Sequence, residues 1–446
     1  MKRNPYSTNE DIQAAVSKAN SAKEAWRLLG VEKRIVLLKR LFEDLKTHKE
    51  DLSLLETKEM GMPITQSQFD VEFGLEYFDW YLRNAEAHLA PEVIFQDSKA
   101  IHTVFYEPIG TSAVISSWNF PFSNFIWGVI PNLVVGNTVV FKHAQECLLF
   151  GKKIQDLVAG CSLPEGVFSA IHGGPKVGDY LVHQDIDLIC FTGSSLVGQH
   201  LYKVASKKFI RVVLELGGSA PGILFEDADV EGAIESIYNN RFLNSGQVCD
   251  GLKRLLVHKD RFQEVVQRLK NCIESKSIGS PEDKTTDIGP LVSKKQLTKI
   301  EKQVGDAVTR GATVITGGEY PNEKLRLKGN FYSPTILTGV TRDMKVWQEE
   351  VFGPVLPVVA FSTEEEAISL ANDTVYGLGG YIFTRDNEKA KRVADRLKTG
   401  MVAINNATYV MPCNPFGGYK KSGIGREHGK YGLREICQIK IISMET

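Results

Sequence analysis

The chain has 446 residues, 43% hydrophobic and 24% charged, an ordinary globular composition that excludes the disordered and fibrous classes. Its 53 basic residues nearly cancel its 54 acidic ones, so no overall field attracts nucleic acid or an acidic membrane, and a small-molecule partner is expected. The length exceeds one compact core and implies two or three domains.

The N-terminal MKRNPYSTNE runs into a charged helical pattern with no apolar signal stretch behind it, so a cytoplasmic protein is expected. Ala14, Ala15, Ala19, Ala22 and Trp26, then Ile35, Leu38 and Leu41, recur near the 3.6-residue period and predict helices over the first ninety residues. From about His102 the runs HTVFYEP, TSAVISSW, NTVVFKH, VFSAI, DLICFT and RVVLEL alternate with helix-length segments. That alternation predicts an α/β fold with a largely parallel, doubly wound sheet. The longest apolar stretch, about residues 125–141, is broken by Pro131, Asn132, Asn137 and Thr138 and reads as core, not as a bilayer span.

After Cys249 a second series, RLLVHK, ATVITGG, VLPVVAF, GLGGYIFT and MVAINN, interleaves with helices over residues 364–372 and 387–397 and predicts a second α/β domain. FGGYKKSGIGRE is too rich in glycine for a helix and is expected to be a loop before the last strand, ICQIKII. Seven scattered cysteines lack the paired short spacing of a zinc site, so no metal is expected and most should be reduced core residues.

Five segments carry residues suited to chemistry. Asn119 in SSWNFPFS is an amide in apolar company, where it is either a turn former or a positioned donor. Lys142 ends the strand VVFKHAQ and reaches either solvent or a ribose or phosphate. In FTGSSLVG, Gly193 and Gly198 flank Ser194 and Ser195 directly after a strand, offering amides and hydroxyls at a helix N-terminus, although the G-x-G-x-x-G pattern is absent. Glu215 in LELGGSAP sits at a strand's carboxyl end, where open α/β sheets place ligands and where a lone glutamate is otherwise solvated. Cys249 in NSGQVCDG has Gly246 and Gly251 beside it; alone it reads as structural, but an exposed thiolate there would be a strong nucleophile.

In this order and spacing, WNFP, FTGS, LELGG, GQVC, EEVFGPV and FGGYKKSGIGRE resemble the motifs of the aldehyde dehydrogenase superfamily across nearly the whole chain. The resemblance implies that Cys249 is the nucleophile, Glu215 the general base, and Asn119 with the Cys249 backbone N–H the oxyanion hole. It implies that Ile115, Trp118, Lys142, Gly193 and Ser194 line NAD or NADP, with Gly198 in the same segment, and that Glu350 and Phe352 hold the nicotinamide-side ribose and ring. On their own, Glu350 reads as surface and Phe352 as core. Acylating relatives that use coenzyme A do not need the base, so Glu215 favours simple hydrolysis of the thioester.

Gln145 stands where many NAD-specific relatives carry a glutamate, so the repulsion of a 2′-phosphate is relaxed and NADP should be tolerated, with Glu146 restoring some discrimination. KHA, GQVC and LREICQIK are most similar to short bacterial succinate-semialdehyde dehydrogenases. Yet Trp127 and Leu243 stand where those enzymes carry arginines, and Arg241 lies at the wrong strand parity. Phe120, Trp127, Phe242 and Leu243 suggest an apolar or aromatic entry tunnel, with Trp127 equally readable as core. An aliphatic or aromatic aldehyde is therefore expected, with succinate semialdehyde as the alternative.

The expected architecture is a Rossmann-like cofactor domain (residues 1–89 and 109–217), an α/β catalytic domain (218–415) and a small oligomerisation element (90–108 and 428–446) that builds a homodimer or homotetramer. Only about ten residues precede the first helix, so an N-terminal strand pair is expected to be missing. The rival from another class is a catalytically silent binding or structural protein on the same scaffold.

Overall fold

The computed structural model describes residues 6–446. Four helices open the chain, Asn9–Leu28, Val31–Thr47, Lys49–Met60 and Ile64–Leu89. Thr8 starts the first through a capping box with Asp11, each side chain accepting from the other's backbone N–H. The apolar faces of these helices, including Leu38, Leu41, Leu45, Tyr77 and Phe78, share one core with Phe122 and Phe125 of the buried helix Pro121–Val135. Among the described residues no strand precedes Asn9–Leu28, and no helix is long and apolar enough to cross a membrane.

The antiparallel pair β1 (Glu92–Gln96) and β2 (Ala100–Pro108) follows, and then the first large sheet: β3 (Thr111–Ile115), β4 (Thr138–Lys142), β5 (Phe168–Ile171), β6 (Leu188–Thr192) and β7 (Arg211–Glu215). β3 and β4 are buried along their whole length, as strands of a parallel sheet covered on both faces must be. The order β7-β6-β3-β4-β5 means that the chain winds outward from β3, returns to its other side, and leaves a crevice at the carboxyl ends of β3 and β6. Register sets Ile115 level with Lys142 on one side and Phe191 on the other, and Thr192 level with Glu215.

The second sheet comprises β8 (Ala220–Leu224), β9 (Leu252–His258), β10 (Thr313–Thr316), β11 (Thr335–Thr338), β12 (Val355–Phe361), β13 (Tyr381–Phe383) and β14 (Ala403–Ile404), in the order β10-β11-β12-β9-β8-β13-β14, with only β10 antiparallel. Sequence pattern missed β8, where Pro221 and Gly222 hide the strand, and lengthened β13. The run GLGGYIFT forms only a three-residue strand, because its glycines serve close approach: a Cβ at Gly377 would lie 2.4 Å from the Lys398 carbonyl, and one at Gly379 2.3 Å from the Tyr409 hydroxyl.

The C-terminal segment departs from expectation in two ways. β15 (Gly423–Ile424) returns to the first large sheet and pairs with β7, so residues beyond 415 complete the cofactor sheet. A helix, Gly429–Glu435, then buries Leu433 in the first core, so of residues 428–446 only β16 (Cys437–Glu445) joins β2 in the small sheet.

Candidate active site

Ile115, Trp118, Lys142, Gln145, Gly193 and Ser194 line one cleft of about 730 Å³ at the carboxyl ends of β3, β4 and β6. Burial pulls the Lys142 ammonium down to about 8, so its charge is weakly solvated and available to a ligand oxygen. Gln145 and Glu146 lie together in the lining, and Gly174 packs beside Gln145, whose Oε1 a Cβ would meet at 2.5 Å. Lys176, unremarked in the sequence, lines the same cleft.

Two expectations for this segment are corrected. Gly198 lies outside the lining: it faces Leu216, whose side chain a Cβ would meet at 2.6 Å, so it serves helix-to-strand packing. The Ser195 hydroxyl donates to the Lys421 carbonyl and is spent in the fold, whereas Ser194, which accepts from the Val197 N–H, keeps its own proton.

Cys249 sits between helix Val230–Phe242 and β9, on a loop where Asn244, Ser245 and Gly246 take φ of 50°, 53° and 74° in succession. Left-handed backbone costs about 1–3 kcal/mol at each non-glycine residue. Hydrogen bonds, worth about 1 kcal/mol apiece net, offset that cost. Asn244 donates its backbone N–H to Gln66 Oε1 and its Nδ2 to the Asn119 carbonyl (2.6 Å), Ser245 donates to the Gly289 carbonyl, and Gln247 accepts from the Val292 N–H. Gly246 is obligatory, since a Cβ would lie 2.4 Å from the Gly353 carbonyl. Arg241, wholly buried, donates to the carbonyls of Gly246, Val351, Gly353 and Val355 and so clamps this loop to the EEVFGPV segment.

Asn119 is pinned against the same loop. Its Oδ1 accepts from Ser117 at 2.7 Å and from Asn124, which turns Nδ2 toward the Gln247 carbonyl at 3.0 Å. An amide nitrogen carries two protons, so one remains for a ligand oxygen.

The Cys249 thiol is half-buried, packed against the cluster of Leu378, Met401 and Phe416, and donates to Asp250 Oδ1 at 3.8 Å. Burial and then the Asp250 charge push it well above the ordinary thiol range; Lys253 opposes this, and Glu350 and Glu215 add to it. Replacing Asp250 by Asn removes the largest of these charges, so Asp250→Asn is expected to speed alkylation of Cys249 by iodoacetamide at neutral pH by roughly three- to tenfold. An unchanged rate would show that Asp250 does not govern the thiol.

Glu215, at the end of β7, is buried with neither carboxylate oxygen hydrogen-bonded. Burial and the nearby Glu427 raise it well above the carboxylate range, partly countered by Arg426. Gly417 leaves the space it needs, since a Cβ there would lie 2.8 Å from Glu215 Oε1. Glu427, buried and pushed up to about 7, was not singled out in the sequence, although it closes the GRE of the glycine-rich motif.

Glu350 is not a surface residue. Its Oε1 pairs with the buried Lys253 ammonium at 2.7 Å and accepts from the Gly218 N–H at 3.0 Å. The Phe352 ring stands edge-on to Trp118 at 5.6 Å, which places it beside the cleft although not in its lining. Asp250 and Lys253, both unassigned in the sequence, had one visible signal: charges beside a cysteine and inside an otherwise apolar strand, CDGLKRLLV.

A switch-point crevice with a buried lysine, adjoining a strained cysteine loop and an unpartnered buried glutamate, is the arrangement a dinucleotide-dependent oxidoreductase requires. The chain belongs to the aldehyde dehydrogenase family, whose model matches residues 1–442, and it is an NAD(P)-dependent oxidoreductase acting on aldehydes. It is 38% identical to betaine aldehyde dehydrogenase of Bacillus subtilis (strain 168), over 98% of this chain and 90% of that protein. It is 34% identical to the NADP(+) succinate-semialdehyde dehydrogenase of Escherichia coli (strain K12), over 97% of this chain and 89% of that protein. Betaine aldehyde dehydrogenase from Staphylococcus aureus, solved in complex with NAD+, superposes with a TM-score of 0.94 at 35% identity, over 98% of this chain and 88% of that one.

Proposed function

We propose that this enzyme oxidises an aliphatic or aromatic aldehyde to a free carboxylate through a thioester on Cys249. Cys249 attacks the carbonyl carbon, and the oxygen, now charged, is received by the spare Asn119 Nδ2 proton and the Cys249 backbone N–H. The nicotinamide supplies the hydride acceptor when the nucleotide is bound. Glu215 takes a proton from the water that hydrolyses the thioester. The observation that carries this reading is the unpartnered, buried Glu215 carboxyl, whose charge acts on the Cys249 thiol: a carboxyl held there without a hydrogen bond is costly unless it has work to do.

Substrate class is supported by what surrounds the approach to the thiol. Arg241, two residues before Leu243, spends its donors on main-chain carbonyls and has none for a substrate carboxylate. Aromatic rings instead run from the exposed Phe69 through Phe73 and Trp127 to His428 and Phe416, with successive centroids 5.4, 6.3, 5.0 and 5.3 Å apart. Burial holds the His428 ring neutral, pushed down to about 3. Initial rates of nucleotide reduction with hexanal, benzaldehyde and succinate semialdehyde test this: the first two are expected to exceed the third in kcat/KM, and the reverse order would restore the semialdehyde reading.

For the coenzyme, Gln145 and Lys176 in the cleft support acceptance of NADP as well as NAD. Gln145→Glu is expected to raise KM for NADP+ about tenfold or more while moving that for NAD+ less than about threefold, because a carboxylate repels only the 2′-phosphate. Equal changes for both nucleotides would remove Gln145 from discrimination. We also propose a homodimer or homotetramer built on the small sheet, whose edge strand β16 exposes Ile439, Ile441, Ile442 and Met444.

A further inference from the structure

Lys253 is almost completely buried at the start of β9, a strand otherwise apolar up to its neighbour Arg254. Arg254 points to a different task, donating to the carbonyls of Ser219, Leu370 and Ala371. Lys253 points at the site. Its ammonium reaches the Cys249 carbonyl at 2.6 Å, the Gly218 carbonyl at 3.0 Å and Glu350 Oε1 at 2.7 Å, and it lies 5.3 Å from the centre of the Phe352 ring. An ammonium has three protons, and all three are used.

Each acceptor belongs to a different part of the machinery. The Cys249 carbonyl fixes the peptide that follows the thiol; Gly218 lies just past the strand that carries Glu215; Glu350 and Phe352 lie on the segment read as holding the nicotinamide side of the nucleotide. Glu350 Oε1 is doubly engaged, by Lys253 and by the Gly218 N–H, while Oε2 takes neither bond. Burying an ammonium is costly and is tolerated here only because every proton is matched. A structural tie between these segments could have been made by an uncharged residue.

We propose that Lys253 is a positioning residue that couples the nucleophile to the nucleotide site, holding Glu350 ready for the nucleotide and lending its positive charge to the Cys249 thiolate. The assignment rests on the reading of Cys249 as nucleophile and of Glu350 as a nucleotide contact. The groups acting on the thiol are Asp250, Lys253, Glu350 and Glu215, and Lys253 is the sole cation among them. Removing it leaves the carboxyl neighbours, Asp250 and Glu350 above all, unopposed, so the thiolate is disfavoured and the thiol titrates at higher pH. Removing it also takes from Glu350 Oε1 one of the two bonds that hold it in place.

The test compares Lys253→Met, and Lys253→Gln, which keeps two amide protons for the two carbonyls and protects folding. Two quantities are measured: the pH profile of Cys249 alkylation by iodoacetamide without nucleotide, and the Kd of NAD+ and NADP+ by calorimetry. In either folded variant the alkylation profile is expected to move to higher pH and the nucleotide Kd to weaken about tenfold or more, the loss that follows removal of one charge-assisted hydrogen bond. A folded variant in which either quantity stays at its wild-type value overturns the coupling. The wild type is alkylated in parallel: turnover that survives complete alkylation of Cys249 would instead overturn the nucleophile reading itself.

Discussion

Cys249→Ala is expected to lose turnover with every aldehyde, by about 10⁴-fold or more, while nucleotide binding stays within about threefold of wild type. The loss is large because, in the proposed mechanism, the thiol is the group to which the acyl carbon is bonded, and no other group on the loop replaces it. Of the other free cysteines, Cys147, Cys161, Cys190 and Cys437 are packed in the first core, Cys272 lies on the helix Phe262–Glu274 and Cys413 on the segment before Phe416, so none shares the strained loop with Cys249. Nucleotide binding is spared because the cleft is lined by residues of the first sheet, and Cys249 is not among them. A variant that keeps activity would remove Cys249 as the nucleophile; one that loses nucleotide binding as well would point to collapse of the loop.

Glu215→Gln carries the second large effect. The substitution keeps size and removes the basic oxygen, so the acyl step is retained while hydrolysis slows by about 10²–10⁴-fold. The kinetic form is a burst of reduced nucleotide, stoichiometric with enzyme, followed by a stalled steady state. In the wild type the pH dependence has a definite sign. Burial, Glu427 and Asp250 raise Glu215, so it is protonated and inactive as a base at low pH, and hydrolysis gains as pH rises through its elevated value. That rising limb should vanish in Glu215→Gln. A variant with wild-type steady-state rate, or with no burst, would remove Glu215 from hydrolysis.

How much of this was legible in the sequence follows from what each residue is for. Residues that exist to do chemistry carry it in their type: an amide in WNFP, a lysine closing an apolar strand, a glutamate before two glycines and a cysteine between glycines are each odd where they stand, and the structure brings Asn119 and Cys249 onto one hydrogen-bonded loop system. Residues whose role depends on long-range pairing were misread. Glu350 read as surface because its partner, Lys253, is 97 positions away and itself hidden in an apolar strand. Gly198 reads as part of the cofactor lining because a glycine near a helix start has two uses, and only the position of Leu216 tells them apart.

Fold elements followed the same division. Strands with unbroken β-branched runs, such as TVVFK, announce themselves, whereas β8 contains Pro221 and Gly222 and is a strand only because β9 and β13 flank it. β15 is two residues long, and no periodicity exists at that length; its pairing with Glu215 and Leu214 is a tertiary fact. It matters to the site, because the loop it ends supplies Gly417 beside the Glu215 carboxylate.

The central claim, a thioester on Cys249 released by Glu215, is tested most directly by mixing Glu215→Gln with nucleotide and hexanal, quenching in acid, and mapping the modified peptide by mass spectrometry. The account predicts a hexanoyl group on the peptide carrying Cys249, absent when nucleotide is omitted and absent in the Cys249→Ala, Glu215→Gln double variant. Reduced nucleotide formed with Cys249 unmodified, or an acyl group on any other residue, would contradict it.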